Sequence, residues 1–218
     1  MARTVAAVRA VVLVQLRFAT GLTSEQYIAT QGWQAASLPC CPLHPEGGCG
    51  FARHGTYSRT PEGAKVPRWY CPDGHQTFSL LPDCLPARFG GTLPELEQVV
   101  AQTEQVGVEA AADILRPDNH PAAVTSISAI RWVRRRVRLV HAALSALLGL
   151  IPGLFANPEP TVSSVRTRLN VLPVLGLVRE ISATYLHVLP PPLGFGPRPQ
   201  RRWITPRRRQ HSTGTDPP

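Results

Sequence analysis

Lysine is all but missing from this chain. Lys65 is the sole example in 218 residues, so the basic character is carried by arginine, whose guanidinium forks onto phosphate and stays charged in water. Acids are scarce as well, 14 against 23 basic residues, for a net charge of +9. No apolar run approaches the roughly 18 residues that a membrane span requires. The stretch from Ala10 to Leu16 is apolar, but Arg3, Arg9 and Arg17 punctuate it and no small-residue cleavage site follows a longer run. It alternates through Val12, Val14 and Leu16, which predicts a strand. These absences lead us to expect a cytoplasmic protein with no membrane partner, in which free thiols favour metal over disulfide.

Catalytic signatures are missing too. There is no Gly-rich phosphate loop, no Gly-x-Ser-x-Gly elbow and no His-Glu-x-x-His. The few acids form no widely spaced trio of the kind a two-metal nuclease places on strand ends. Cys84 and His120 can be drawn as nucleophile and base, but nothing in the sequence orients them. The expectation is that the protein is not an enzyme.

The chain does concentrate cysteine and histidine in one region. Four of its five cysteines fall between Cys40 and Cys71, around Cys41-Pro-Leu-His44, Cys49-Gly50 and Cys71-Pro-Asp-Gly-His75. Each group is built on a Pro or Gly turn, and thiolate and imidazole donors brought together by turns are what a closed, structural tetrahedral Zn²⁺ site needs. The expected ligands are Cys41, Cys49, Cys71 and His75, with His44 as the alternative because Cys41-x-x-His44 is itself a chelating pair. Cys40 is a spare neighbour, and Cys84 in Leu80-Leu-Pro-Asp-Cys-Leu85 reads as a small buried hydrophobe. Short strand candidates at Gly55 to Ser58 and Val66 to Tyr70 complete a small zinc ribbon.

Helical periodicity takes over from Thr92. Thr92 and Glu95 form a capping box, and Pro94 sits in the first turn, where its missing N–H costs nothing. Leu93, Leu96, Val99, Val100 and Thr103 line one face as far as Gly107. A short second helix runs from Val108 to Leu115, before Pro117. A third, about Ser126 to Leu148, places Ile127, Ile130, Val133, Val137, Val140, Leu144 and Leu147 on one face and Arg131, Arg134, Arg135 and Arg138 on another. This order is that of a helix-turn-helix unit, although the loop from Arg116 to Thr125 exceeds the usual turn of three or four residues. Near the start of the chain, Thr23 to Gln26 is a further helix start before Tyr27 and Trp33. From Val162 to Val188 the period is again helical, interrupted by Pro173.

Charge is localised. Residues 126 to 148 hold five arginines and no acid, and residues 190 to 218 hold six arginines, eight prolines and a single acid, Asp216. Two concentrated basic stretches are the footprint of a polyanion partner. The predicted fold is α+β: a zinc-ribbon region over 1–90, a helix-turn-helix-like segment over 91–150, a helical segment over 151–189 and a disordered Arg/Pro-rich tail over 190–218. The residues expected on nucleic acid are Arg131, Arg134, Arg135 and Arg138, with Arg201, Arg202, Arg207, Arg208 and Arg209 of the tail. DNA is the expected partner and RNA the alternative. A protein-interaction adaptor, in which the ribbon and the helices from 162 to 188 hold a partner protein or a second copy, is the rival from another class.

Cys41-Pro, Cys49-Gly, Arg53-His-Gly-Thr-Tyr57, Arg68-Trp-Tyr-Cys71 and Thr77-Phe-Ser-Leu-Leu-Pro82 together resemble an uncharacterised bacterial family of zinc-ribbon proteins associated with insertion elements. The resemblance covers about residues 38 to 140. That family carries Cys-x-x-Cys in both knuckles, whereas here the first is stretched to Cys41 and Cys49, and Gly74 stands where the fourth cysteine falls. The resemblance implies a DNA-binding accessory of a mobile element, in the bacterial cytoplasm and associated with the nucleoid.

Overall fold

The computed structural model describes residues 14 to 115, 122 to 152 and 159 to 196, with side chains from 127 onward in the middle segment. The fold is α+β. Four strands, β1 (Gln15–Phe18), β2 (Ala52–Ser58), β3 (Lys65–Cys71) and β4 (Gln76–Pro82), form one sheet in the order β1-β4-β3-β2. β2, β3 and β4 run antiparallel, and β1 adds to the β4 edge in parallel, Gln15 opposite Ser79 and Phe18 opposite Pro82. Among the described residues six helices accompany the sheet: α1 (Ser24–Ala29), α2 (Leu93–Val106), α3 (Val108–Ile114), α4 (Ala122–Leu150), α5 (Val162–Leu169) and α6 (Val174–Ile181), the last followed by a 3-10 turn at Ala183–Tyr185.

Local sequence explains most of the element ends. Thr23 and Gln26 make a reciprocal capping box on α1, and Thr92 and Glu95 make one on α2. Tyr27 of α1 is fully buried and donates its hydroxyl hydrogen bond to the Lys65 carbonyl at 2.9 Å, which ties α1 to β3. Gly32 is required beside it, because a Cβ there would stand 2.5 Å from Cδ2 of the Tyr27 ring. Gly107, with φ of +84°, ends α2 and starts α3, a conformation that glycine adopts without the Cβ penalty.

One core joins the sheet to the helices. Tyr27, Val66, Leu81 and Leu85 pack with Leu93 and Val100 of α2, Val140, Leu144 and Leu147 of α4, Val165 of α5, and Leu175 and Val178 of α6. The residues drawn as separate ribbon and helical segments therefore share buried contacts. The strap after α6 belongs to the same core: Leu189, Leu193 and Phe195 are buried in it. The disordered tail expected from residue 190 is thus corrected for residues 190–196, whose apolar side chains and backbone are held in place. Arg179 of α6 does the holding. Its guanidinium is fully buried and donates to the carbonyls of Leu193, Pro192, Leu85 and Asp83. Arg201, Arg202, Arg207, Arg208 and Arg209 lie outside the described residues, as does the expected strand start at Val12.

Candidate metal centre

Cys41, His44, Cys49 and Cys71 converge, with one donor atom from each lying within 4.8 Å of the others. Cys41 and His44 come from one turn, closed by the His44 N–H to the Cys41 carbonyl at 3.1 Å. Cys49 sits in a loop in which Gly47, Gly48 and Gly50 all take positive φ. Cys71 ends β3. His44 Nδ1 lies 3.7 Å from Cys41 Sγ and 3.4 Å from Cys71 Sγ. Bonds of about 2.0 Å to nitrogen and 2.3 Å to sulfur around a tetrahedral ion imply edges of about 3.5 to 3.8 Å. The donor set therefore fits a metal ion.

Backbone N–H groups surround the sulfurs. Gly74 donates to Cys71 Sγ at 3.3 Å, Leu43 and His44 donate to Cys41, and Phe51 donates to Cys49. Such donors favour thiolate over thiol. Burial pushes the Cys41 thiol up, but the hydrogen bonds from His44 and the adjoining backbone outweigh it and bring the thiol down to about 7. Burial and the neighbouring Cys41 sulfur push Cys49 up to about 11. A bound cation supplies the charge that favours thiolate at such sulfurs. Phe78, with Leu38, Leu43 and Phe51 packed against it, closes the surroundings. A buried site of four protein donors holds a fold together and leaves no open position for substrate.

Three of the four ligands expected first are brought together, and the fourth donor is the alternative, His44. His75 is placed elsewhere. It takes φ of +46° at the end of the turn that carries β3 into β4, and its Nδ1 lies 3.4 Å from the Tyr70 hydroxyl. Tyr70 and Cys71 are consecutive strand residues and face opposite sides of the sheet, so the ring beside Tyr70 is turned away from the Cys71 sulfur. Cys40 is exposed and Cys84 is buried.

The arginines of α4 are displayed as the periodicity predicts. Arg131, Arg134, Arg135 and Arg138 are exposed, while Val133, Val140, Leu144 and Leu147 are buried. Arg134 does find an acid, on the neighbouring helix rather than its own: its guanidinium pairs with Glu109 of α3 at 2.8 Å, both groups being exposed. Arg135 lies over Phe89, and Arg136 stacks 3.4 Å above the half-exposed Trp132 ring. Burial, then the like charge of Arg135, brings Arg136 down to about 10. No helix among the described residues is long and apolar enough to cross a membrane.

Two groups that sequence reasoning did not single out organise the helices around this region. Glu97 and Glu104, both on α2, accept hydrogen bonds from the N-terminal backbone of α6 and α5 respectively. Their only sequence signal is an acid embedded in an otherwise apolar helix face. A separate cavity of about 500 Å³ lies between the β1–α1 loop, Asp83, Cys84, Pro94 and Gly176. Cys84 in its wall has its thiol pushed up by burial, which suppresses the thiolate that nucleophilic chemistry requires.

Compared with protein-family models, with curated proteins and with solved structures, this chain matches none of them.

Proposed function

We propose that this is a non-catalytic, zinc-stabilised DNA-binding protein, related to the accessory proteins of mobile elements. The observation that carries the reading is the division of α4. One face is buried in the core and the opposite one presents Arg131, Arg134, Arg135 and Arg138 to solvent. Arg131 and Arg138 have no acidic partner among the described residues. From Arg131 to Arg138 the helix rises about 10 Å, a span that reaches adjacent phosphates along one strand.

Zn²⁺ is the ion that best suits three thiolates and one imidazole in a closed tetrahedral set. In this reading Cys41, His44, Cys49 and Cys71 hold it, the knuckles and β2 to β4 form a zinc ribbon, and the packed helices α2, α3 and α4 act as a helix-turn-helix variant with a long turn. The zinc supplies folding energy and no reaction step. The arginines of the tail extend the phosphate contacts. The protein would work in the bacterial cytoplasm, on the nucleoid.

A salt titration tests the reading. Binding of a mixed-sequence duplex should weaken by orders of magnitude between about 50 and 200 mM salt, as counterion release by several arginines demands. Affinity that ignores salt would overturn it. It would favour the adaptor, for which Leu172, 72% exposed beside the exposed Val171, supplies an apolar contact point.

A further inference from the structure

The sheet has a second face near the metal centre, and its composition is distinct. Cys71, Phe78 and Trp69 point into the buried layers on one side. The opposite side carries Tyr70 and Arg68 of β3, with Ala52 and Thr77 as lateral neighbours of Tyr70. His54 of β2 joins them: its ring centroid lies 5.6 Å from that of Tyr70, tilted by 41°. The register slips by one residue between Arg53 and Thr56, with Gly55 at φ of +91°, so Tyr57 also reaches this side, under the Arg68 guanidinium at 5.6 Å. His75 extends the row from the turn.

Three rings in sequence, His54, Tyr70 and His75, thus lie on an open surface. His54 and His75 are exposed and Tyr70 is half-buried. The three strands β2, β3 and β4 contain no acid, and Arg68 is their cation on this side, since Arg53 and Lys65 lie on the opposite one, over Trp69 and Trp33. The acids of the joining turns are Glu62 and Asp73. Arg68 Nε is buried without a hydrogen-bond partner among the described residues. Flat π surfaces beside a guanidinium that no acid neutralises are the chemistry that recognises unstacked bases on a phosphodiester strand.

We propose that this face is a stacking platform for the unpaired bases of a single-stranded nucleic acid. It deepens the nucleic-acid reading and rests on it for the class of partner, but it uses a surface separate from α4. The two surfaces together would suit a substrate that combines duplex with an unpaired segment.

The test uses the full-length, metal-loaded chain and two labelled probes, an oligothymidylate of about twelve nucleotides and a mixed-sequence duplex. Substituting His54→Ala together with Tyr70→Leu should weaken oligothymidylate binding by tenfold or more and leave duplex binding within about twofold. Substituting Arg131→Gln together with Arg138→Gln should do the reverse. Oligothymidylate binding unchanged in the His54/Tyr70 variant overturns the platform, as does a wild-type chain that binds duplex but not the oligonucleotide. A wild type that binds neither overturns the nucleic-acid reading as a whole. Metal content is measured alongside, because Tyr70 adjoins Cys71. Should the double variant lose its metal, His54→Ala alone decides, since His54 supplies no donor to the cluster.

Discussion

Glu97 and Glu104 stand two helical turns apart on α2, and each carboxylate caps the amino terminus of a different helix. Glu97 accepts from Val174 and Leu175 of α6 at 2.9 and 2.8 Å and pairs with Arg166 at 2.7 Å. Glu104 accepts from Val162 and Ser163 of α5, each at 2.8 Å, and lies 2.7 Å from His141 of α4. One face of α2 thereby orients three other helices. Orphan N–H groups and the positive end of each helix dipole are met by a carboxylate from outside the helix.

Acid should unfold the protein partly through Glu104. Burial raises this carboxyl, but the hydrogen bonds from His141, Ser163 and Val162 outweigh it and bring it down to about 2. The folded chain therefore takes up this proton later than the unfolded chain, whose carboxyl titrates near 4.3. The stabilisation is complete above about pH 5 and is lost as pH falls toward 2, an effect of about 1 to 2 kcal/mol after solvent screening. Urea denaturation of wild type and Glu104→Gln across this range should converge at low pH; a constant gap would contradict the account.

Metal retention should separate the two histidines. Protein purified without added zinc should contain near one ion per chain, and Cys71→Ser should lose it. His44→Ala should bind metal more weakly, whereas His75→Ala should retain it at the wild-type level. Elemental analysis of the three variants decides the ligand set, and metal lost from His75→Ala but kept by His44→Ala would reverse it.

Freeing Arg134 should tighten duplex binding. Its bond to Glu109 is exposed and worth little to the fold, yet it neutralises one cation on the arginine face. Glu109→Gln should raise duplex affinity by about two- to fivefold at low salt, with the melting temperature shifted by no more than a few degrees. Arg134→Gln should lower the salt slope by about one. Anisotropy titrations at several salt concentrations measure both, and an unchanged slope in Arg134→Gln would remove that residue from the interface.

Arg179 should tolerate no replacement. Its guanidinium meets carbonyls from two separate segments, Pro82 to Leu85 and Pro192 to Leu193. An ammonium at that position cannot reach both in the same fork geometry. Arg179→Lys should cost about 2 to 4 kcal/mol in urea denaturation, with Phe195 and its neighbours becoming accessible to protease.

The capping box at Thr92, the helix start at Thr23 and the amphipathic run of α4 are legible because each is written within a few consecutive turns of chain. Gly107 and Pro173 likewise mark their breaks directly. β4 is hard to read as a strand: Thr77 to Leu80 alternates, but Leu80, Leu81 and Pro82 are consecutive buried residues that blur the period. His75 and His44 both stand within chelating reach of a cysteine along the chain, and spacing carries no information about the side of a sheet to which a turn residue is directed. Glu97, Glu104 and Arg179 were unreadable for a related reason. A buried charge is explained by groups far along the chain, and Arg179 meets Asp83 across 96 positions. Composition joins the strap from Pro190 to Gly196 to the basic segment beyond it, because it does not register that Leu193 and Phe195 have a core to enter.

The parallel pairing of β1 with β4 also bears on the order in which the molecule assembles. The metal donors and the β2, β3 and β4 strands lie within one short continuous stretch of chain, so they can meet with little loop-closure entropy. β1 cannot pair until that template exists, and Arg17 meets Asp83 only across 66 positions. The cysteine-rich turns are thus placed to act as the nucleus, with the parallel edge strand and the Arg179 strap closing afterwards as slower, long-range steps. Metal availability would then govern how fast the chain reaches its native state as well as how stable that state is.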